Sequence, residues 1–505
     1  MVMFTFVVCI ILAPLIWRIL SSYWSYFTTR DLPPGPFPLP VLGNLHLIGS
    51  NAHVTLAKLS LSHGDLMTIY FGSERVVVVS SSELAREVLV RQSYVFGGRP
   101  LNLPYVAILF SHGGKNIAFR ENMCPRWKKQ RKIFHAAVKM FGSGLLPLHV
   151  QVCDVVKDLV TDLEVHVGTP RDIAHDLFLC VANIICAMTF GSKYERGDPE
   201  FSILMKNFDV VQRFVAPGNL IDVIPLLRQL PLKRVTELRS AVGLLDTIVS
   251  RKYHEHSSNV DEIRDFTDAL KKQYEHDMEG EENDVIRGKN DDIILTSEEI
   301  MLIITDMFFA GIETSTSSVL WGVYYLAFYP DLQDEVYDEM TRVLDPDTPP
   351  NFSDRHRLPF LSATITEVFR CGSIVPLLLP HRTITDASIK GFRIPKDTTV
   401  LVNAFAIHND TRIWADPHAF RPARFLDENG NFTSPPPFAF YPFSAGKRVC
   451  VGEILGKMIV FVTLARLFYN YRLTIVDSGD LGANEANAAS IRKPKPFQVV
   501  LEKRH

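Results

Sequence analysis

From Thr296 to Tyr329 the chain runs without a proline and is apolar on most faces, a span too long for an ordinary surface helix. Thr296-Ser297-Glu298-Glu299 reads as a capping box that opens it, with Thr296 at the cap and Glu299 three residues on. Pro330 marks its end. A helix of this length has to cross a core, so the fold is organised around it. Within it Ala310 and Thr314 are four apart and share a face, with Gly311 and Glu313 between them. Gly311 is a poor residue for a helix interior. Close approach of a flat ligand and ordinary helix packing both explain it. Glu313 beside Thr314 places an acid and a hydroxyl in apolar surroundings, which costs free energy unless both find partners. A lone threonine there back-bonds to a carbonyl; the pair fits a proton relay better.

The rest of the 505 residues surround such a helix adequately: 47% are hydrophobic, ample for a large core. A formal charge of −3 argues against nucleic acid as the main partner. Seven cysteines (Cys9, Cys124, Cys153, Cys180, Cys186, Cys371 and Cys450) are scattered without a C-x-x-C spacing. They form neither a disulfide framework nor a zinc site, and point to a reducing compartment.

Residues 2–17 are apolar and uncharged, and with Arg18 snorkelling the segment 2–27 is long enough to span a bilayer. Residues 1–30 are therefore read as a single membrane anchor, with the following domain on the cytosolic side where the basic residues lie. Leu32 to Pro40 carries five prolines and is read, within 31–42, as a stiff extended linker. The remainder, 43–505, reads as one catalytic domain. Residues 65–80 predict a β-hairpin, and 83–345 are mainly helical by pattern. The charged stretch from His254 to Asp292 predicts a helix trailing into a loop. Short β-type runs from Ala387 to Val402 and a last long helix after Cys450 complete a mainly α chain with a minor β region. Three glycosylation sequons, at Asn351, Asn409 and Asn431, are chance matches if the domain is cytosolic.

Phe443-Ser444-Ala445-Gly446-Lys447-Arg448-Val449-Cys450-Val451-Gly452-Glu453 reads as a loop that presents one cysteine. Gly446 and Gly452 allow tight turns where a Cβ would crowd a flat ring. The apolar helix after Gly452 puts Cys450 at a positive helix end, which favours a thiolate. This segment resembles the haem-binding signature of the cytochrome P-450 superfamily, and the resemblance extends from about residue 30 to the C-terminus. It implies the cytochrome P-450 fold preceded by one transmembrane helix, and haem b held through the Cys450 thiolate. Phe443, Gly452 and Ala310 are then haem contacts. The same resemblance implies that Thr314 orients dioxygen while Glu313 helps deliver protons, in a monooxygenase reaction.

Haem propionates bring two negative charges into a mostly apolar pocket, where cations and donors should converge. The resemblance assigns Arg99, Trp127, Arg131, His381 and Arg448 to them. Glu367 and Arg370 lie three apart on a helix and can pair, and Arg424 matches the family's third partner in a structural cluster beneath the cysteine loop. Lys128, Lys129, Lys132 and Lys447 imply docking of an acidic reductase surface. The chain has no dinucleotide or flavin fingerprint of its own, so its electrons come from a partner, which the resemblance implies is an NADPH-cytochrome reductase, with cytochrome b5 left open as a second donor. The implied location is the endoplasmic reticulum membrane.

The implied substrate pocket draws on Phe214, Phe309, Ala310 and Val375, all apolar, and so takes a lipophilic small molecule. The chain most resembles the microsomal branch containing steroid 17-alpha-hydroxylases and aryl-hydrocarbon hydroxylases. Phe214 stands where the steroid enzymes carry an asparagine, which keeps steroids and planar aromatics both open. Two other readings compete: a thiolate-haem isomerase or dehydratase that needs no reductase, and a non-catalytic membrane-anchored haem protein.

Overall fold

The computed structural model describes residues 31–504, apart from 50, 103, 143–145, 216–218, 257–262, 284–292, 346–347, 437 and 477–489. The anchor read over 1–30 lies outside the described residues. The longer helices, in chain order, begin with α1 (Ala52–His63), α2 (Pro125–Gly142), α3 (Leu146–Glu164) and α4 (Ala174–Phe190). Next come α5 (Pro199–Val215), α6 (Lys233–Glu255) and α7 (Phe266–Asn283). The set closes with α8 (Ser297–Phe328), α9 (Pro330–Val343), α10 (Pro359–Gly372) and α11 (Glu453–Asn470).

Helix α8 is the spine that the sequence predicts. Thr296 caps it and Glu299 closes the capping box. Glu299 also pairs with Arg120 and Arg126, both at 2.7 Å, so the box ties α8 to the segment before α2 and to the first turn of α2. Among the described residues α8 is the one helix long and apolar enough to cross a membrane, and most of it is buried in protein. It packs on α4 and α11. A Cβ on Gly322 would lie 2.4 Å from Leu464 Cδ1, and one on Gly311 would lie 2.8 Å from Ile185 Cδ1. Both glycines are close-approach points between helices, so Gly311 answers to helix packing.

The β region is small. Strands β1 (Leu66–Phe71) and β2 (Glu74–Val79) form the expected hairpin, with Leu66 opposite Val79. They precede β3 (His381–Arg382), β4 (Ala387–Ile389), β5 (Phe392–Ile394) and β6 (Thr399–Val402). The sheet order is β1-β2-β6-β3, and β2 runs parallel to β6. A further antiparallel pair, β7 (Tyr471–Val476) and β8 (Gln498–Lys503), follows α11. The sequence reading had no counterpart for that pair, because its strands are more than twenty residues apart. The charged stretch from His254 also divides differently: α6 ends at Glu255 and a separate helix resumes at Phe266.

The proline-rich segment lies along the sheet. Thr68 N donates to Pro34 O at 2.8 Å, and Asn44 Nδ2 donates to the carbonyls of Pro36 and Phe37. Its extended backbone thus satisfies an edge of β1 that would otherwise stay open.

Candidate active site

One large cavity lies against the middle of α8, enclosing about 1470 Å³ of atom-free space with its mouth included. Its walls come from α8 (Asp306, Ala310, Thr314), the loop at Ile117 and Ala118, helix α2, the segment Ile374 to His381, and the cysteine loop running into α11.

The cysteine loop is folded by its own backbone. Cys450 N donates to Phe443 O at 3.0 Å. Gly446 has φ +69° and a Cβ there would lie 1.7 Å from Leu89 O, so this glycine is required by the neighbouring backbone rather than by a ligand. At Gly452 the nearest atom to a Cβ is Cys450 Sγ itself, at 4.0 Å. Of the described cysteines only Cys450 lines the cavity. Burial pushes its thiol up, against the Gly452 N–H, which donates to the sulfur, and the positive charge of Arg131; Glu453 adds to the rise. The helix terminus alone therefore does not secure a thiolate.

The same cavity is lined by a cluster of cations that no carboxylate among the described residues compensates. Arg99, Arg131 and Arg448 line it, and none pairs with a carboxylate among the described residues. Arg448 donates to Gly97 O at 2.9 Å and Arg120 O at 2.8 Å; Arg99 donates to Ala118 O and Pro380 O, both at 2.8 Å. Burial and the neighbouring guanidinium groups hold Arg99 at about 10 and Arg448 at about 8. His381 donates from Nδ1 to Phe96 O at 2.8 Å and is pushed down to about 3 by burial and by Arg99. Trp127 spends its indole N–H on Ile117 O at 3.0 Å. Buried cations without counter-ions are costly. A dianionic group seated here would relieve all of them, and a flat cofactor with two carboxylates between this cluster and Cys450 fits that demand.

Beneath the loop, Arg370 grips Glu367 through two bonds of 2.7 and 2.8 Å, and Arg424 adds a third at 2.9 Å. Both side chains of the Glu367–Arg370 pair are fully buried. Arg370 also reaches His408 O and Pro417 O. His408 links the cluster to the loop: its Nε2 accepts from Tyr441 N at 2.9 Å and its Nδ1 meets Ser373 Oγ at 2.8 Å. Phe369 of α10 packs edge-on against Phe443, ring centroids 5.3 Å apart.

On α8, Thr314 opens onto the cavity and its hydroxyl donates to Ala310 O at 2.5 Å. Glu313 lies outside the cavity wall and forms an ion pair with Lys493. Burial raises its carboxyl, and Lys493 opposes the rise.

The comparisons agree with this geometry. Residues 33–501 match the Cytochrome P450 family. This chain belongs to the cytochrome P450 family. It is 35% identical over 493 residues to the Steroid 17-alpha-hydroxylase/17,20 lyase of Rana dybowskii, covering 97% of this chain and 93% of that one. The Gallus gallus enzyme of the same name is 34% identical, with 96% and 94% covered. Cytochrome P450 1A1 of Sparus aurata is 34% identical, with 87% and 84% covered. The protein is thus a P450 monooxygenase whose cofactor is haem with a cysteine thiolate ligand. It works with a redox partner on a lipophilic substrate.

Most residues read from the sequence meet in this P450's cavity: Cys450, Phe443, Gly452, Ala310, Thr314, Arg99, Trp127, Arg131, His381, Arg448 and Val375. Phe309 and Phe214 do not line it. Phe309 points into an aromatic cluster with Phe110 at 3.9 Å and Phe208 at 4.9 Å, and Phe214 is buried in the core. The helix face of Phe309 turns it toward α5 and the short helix Tyr105–Phe110 instead. Two charged residues escaped the sequence reading. Asp306 shares the face of Ala310 and Thr314 at intervals of four, a signal that was present. Lys493 arrives from 180 positions away and leaves no local signal.

Proposed function

We propose that this P450 hydroxylates a flat lipophilic molecule, a steroid or a planar aromatic, with Cys450 as the axial ligand. What carries the reading is the pairing of Cys450 with an uncompensated cation cluster across one cavity. Haem held there would supply dioxygen activation: with two electrons from the redox partner and two protons, one oxygen atom would go to the substrate and the other to water. Arg99, Arg131 and Arg448 hold the propionates; His381 joins them once two carboxylates restore its positive charge. The Glu367–Arg370–Arg424 cluster supports the cysteine loop and takes no part in chemistry. Thr314 presents its hydroxyl oxygen to the cavity while donating to Ala310 O. Releasing that carbonyl lets it donate toward the reacting oxygen. Glu313 reaches solvent through Lys493, whose side chain is 30% exposed, and so supplies protons to the Thr314 turn of α8.

The apolar wall of Ile117, Ala118, Ile185, Ile374, Val375 and Leu378 selects for lipophilicity. Electrons come from NADPH through a cytochrome reductase docked on the face bearing Lys128, Lys129, Lys132 and Lys447, with cytochrome b5 as a further candidate donor. The enzyme sits on the endoplasmic reticulum membrane through one span in residues 1–30, its catalytic domain in the cytosol.

Carbon-monoxide difference spectra of the reduced protein test the assignment of Cys450. Wild type should give the red-shifted thiolate band, and Cys450→Ser should lose it; retention in the serine variant refutes the ligand. Thr314→Ala should keep the band and substrate binding yet lower coupled product formation by about 10²-fold. Full, well-coupled turnover in that variant removes the relay from the mechanism. Product formation from a peroxide substrate without NADPH would favour an isomerase instead.

A further inference from the structure

Trp321, Tyr325 and Tyr329 fall four residues apart along the last turns of α8 and its C-cap, so they share one face. The stripe starts behind the cavity wall. Ser318, three residues earlier, lines the cavity, and the buried Trp321 packs with the wall residue Ile374. A Cβ on Gly372 would stand 3.3 Å from Trp321 Cδ1 and 3.1 Å from Ile374 Cδ1. From Trp321 outward the rings stack. Trp321 and Tyr325 have centroids 5.4 Å apart, Tyr325 and Phe420 4.3 Å, and Phe420 and Tyr329 6.0 Å. The last two pairs lie within 7° and 11° of parallel. Stacked and edge-on contacts both fill a core well. Among the described residues, however, the other ring pairs are edge-on or tilted, and the three stacked pairs follow one another here. The run ends on Tyr329, which is half-buried. At its inner end the Arg492 guanidinium lies 5.2 Å from the Trp321 ring centre. That charge opposes positive charge on Trp321 and weakens with distance, so an electron vacancy is driven outward along the stack.

A monooxygenase that activates dioxygen with no substrate seated leaves an oxygen atom with oxidising power and nothing to oxidise. Among ring side chains, tryptophan and tyrosine give up an electron most easily. We propose that Trp321, Tyr325, Phe420 and Tyr329 form a path that carries this oxidising power away from the haem cavity to the protein surface. Phe420 is a bridge between the two phenols. Burial pushes the Tyr325 phenol well above its ordinary range, so it keeps its proton and passes electrons alone. Tyr329 is the terminus, because water can take its phenolic proton. Each oxidation of Tyr329 sends one electron inward and one proton to water, leaving a tyrosyl radical. Two such oxidations, with two protons taken up in the cavity, reduce the stranded oxygen atom to water. Two molecules of a small thiol then restore Tyr329, each giving one electron and one proton, and join as a disulfide.

The test is a pulse of peracid given to the haem-loaded enzyme without substrate, in the presence of a nitroso spin trap. Electron paramagnetic resonance reads the radical, and mass spectrometry maps the trap. Wild type should give a tyrosyl signal and carry the trap at Tyr329, but not at Tyr337, which is also half-buried and lies off the path on α9. Tyr329→Phe keeps the ring, and should show a normal carbon-monoxide band before the pulse, no adduct, and faster haem bleaching under repeated pulses. Tyr325→Phe and Trp321→Phe also keep a ring in place, and should lose most of the adduct at Tyr329. Trapping spread equally over Tyr329 and Tyr337, or an adduct at Tyr329 unchanged in Tyr325→Phe and Trp321→Phe, would reduce the stack to packing. So would a wild type with no trapped tyrosine, or a Tyr329→Phe variant that lacks the carbon-monoxide band before any pulse.

Discussion

On the Cys450 side of the cavity, apart from the Glu367–Arg370–Arg424 cluster, polar side chains end on backbone carbonyls and amides: Arg448 on Gly97 and Arg120, Arg370 on His408 and Pro417, His408 on Tyr441 N. On the α8 side, side chains meet side chains across long gaps in sequence: Asn116 with Asp306, His112 with Asp246 and Glu298, Phe110 with Phe309. A carbonyl is present whatever residue occupies the position, so the first arrangement tolerates sequence change around it. The second depends on the identity of both partners. One half of the site is thus built for a cofactor common to a family, and the other for whatever this chain binds.

The largest effect should come from breaking the first half. Glu367→Ala leaves Arg370 and Arg424 as buried cations without their counter-ion, a change that costs about 3–5 kcal/mol. Denaturant unfolding should report that loss, and the thiolate band should fall with haem content. Glu367→Gln keeps the shape and two acceptor bonds, and should lose less. If Glu367→Ala unfolds like wild type and retains haem, the cluster is not what holds the cysteine loop.

That contrast also explains what was legible beforehand. The cysteine loop, the Glu367–Arg370 spacing and the α8 cap are local patterns, with partners within a turn or two, and each could be read from spacing. Gly446 could be noticed but not explained, because its close neighbour is Leu89 O, more than 350 residues away in the chain. Glu313 was legible as an acid in an apolar helix, whereas its partner Lys493 was not. Phe309 and Phe214 were placed in the pocket by the family resemblance, and a resemblance does not distinguish a wall from the core behind it. Helical phase does: Asp306, Ala310 and Thr314 fall on one face, and Phe309 falls on another.

Phe309 offers the intermediate test, now of the second half. Its ring is packed by Phe110 and Phe208, with Phe308 alongside at 6.3 Å. Removing it should cost about 2 kcal/mol, below the 3–5 kcal/mol of a fully buried phenylalanine, because its side chain is only partly enclosed. Phe309 is followed in α8 by Ala310, which lines the cavity. Phe309→Ala should therefore accept bulkier substrates and give a broader spread of products, with its thiolate band unchanged. A haem defect in this variant would erase the division between the two halves.

The smallest effect concerns how the distal loop is held shut. His112 donates to, or is bridged by, Glu298 at 2.9 Å and Asp246 at 3.2 Å, joining the loop to α8 and α6; Lys115 also pairs with Glu298 at 2.9 Å. Burial lowers the imidazole, but the two carboxylates outweigh it and raise it above the ordinary 6.5. A group whose folded value is raised lends its stability below the unfolded value and loses it as pH climbs through the folded one. The clasp is thus full near pH 6 and fades on the alkaline side. All three groups are about one-third or more exposed, so the contribution is at most about 1 kcal/mol and should weaken in high salt. Hydrogen exchange over residues 111–118, corrected for intrinsic rates, should show up to about fivefold greater protection in wild type than in His112→Gln at pH 6. The two should converge by about pH 9. A gap that persists at alkaline pH would mean that ring packing, not charge, holds the loop, and the electrostatic part of the contrast between the halves would fail.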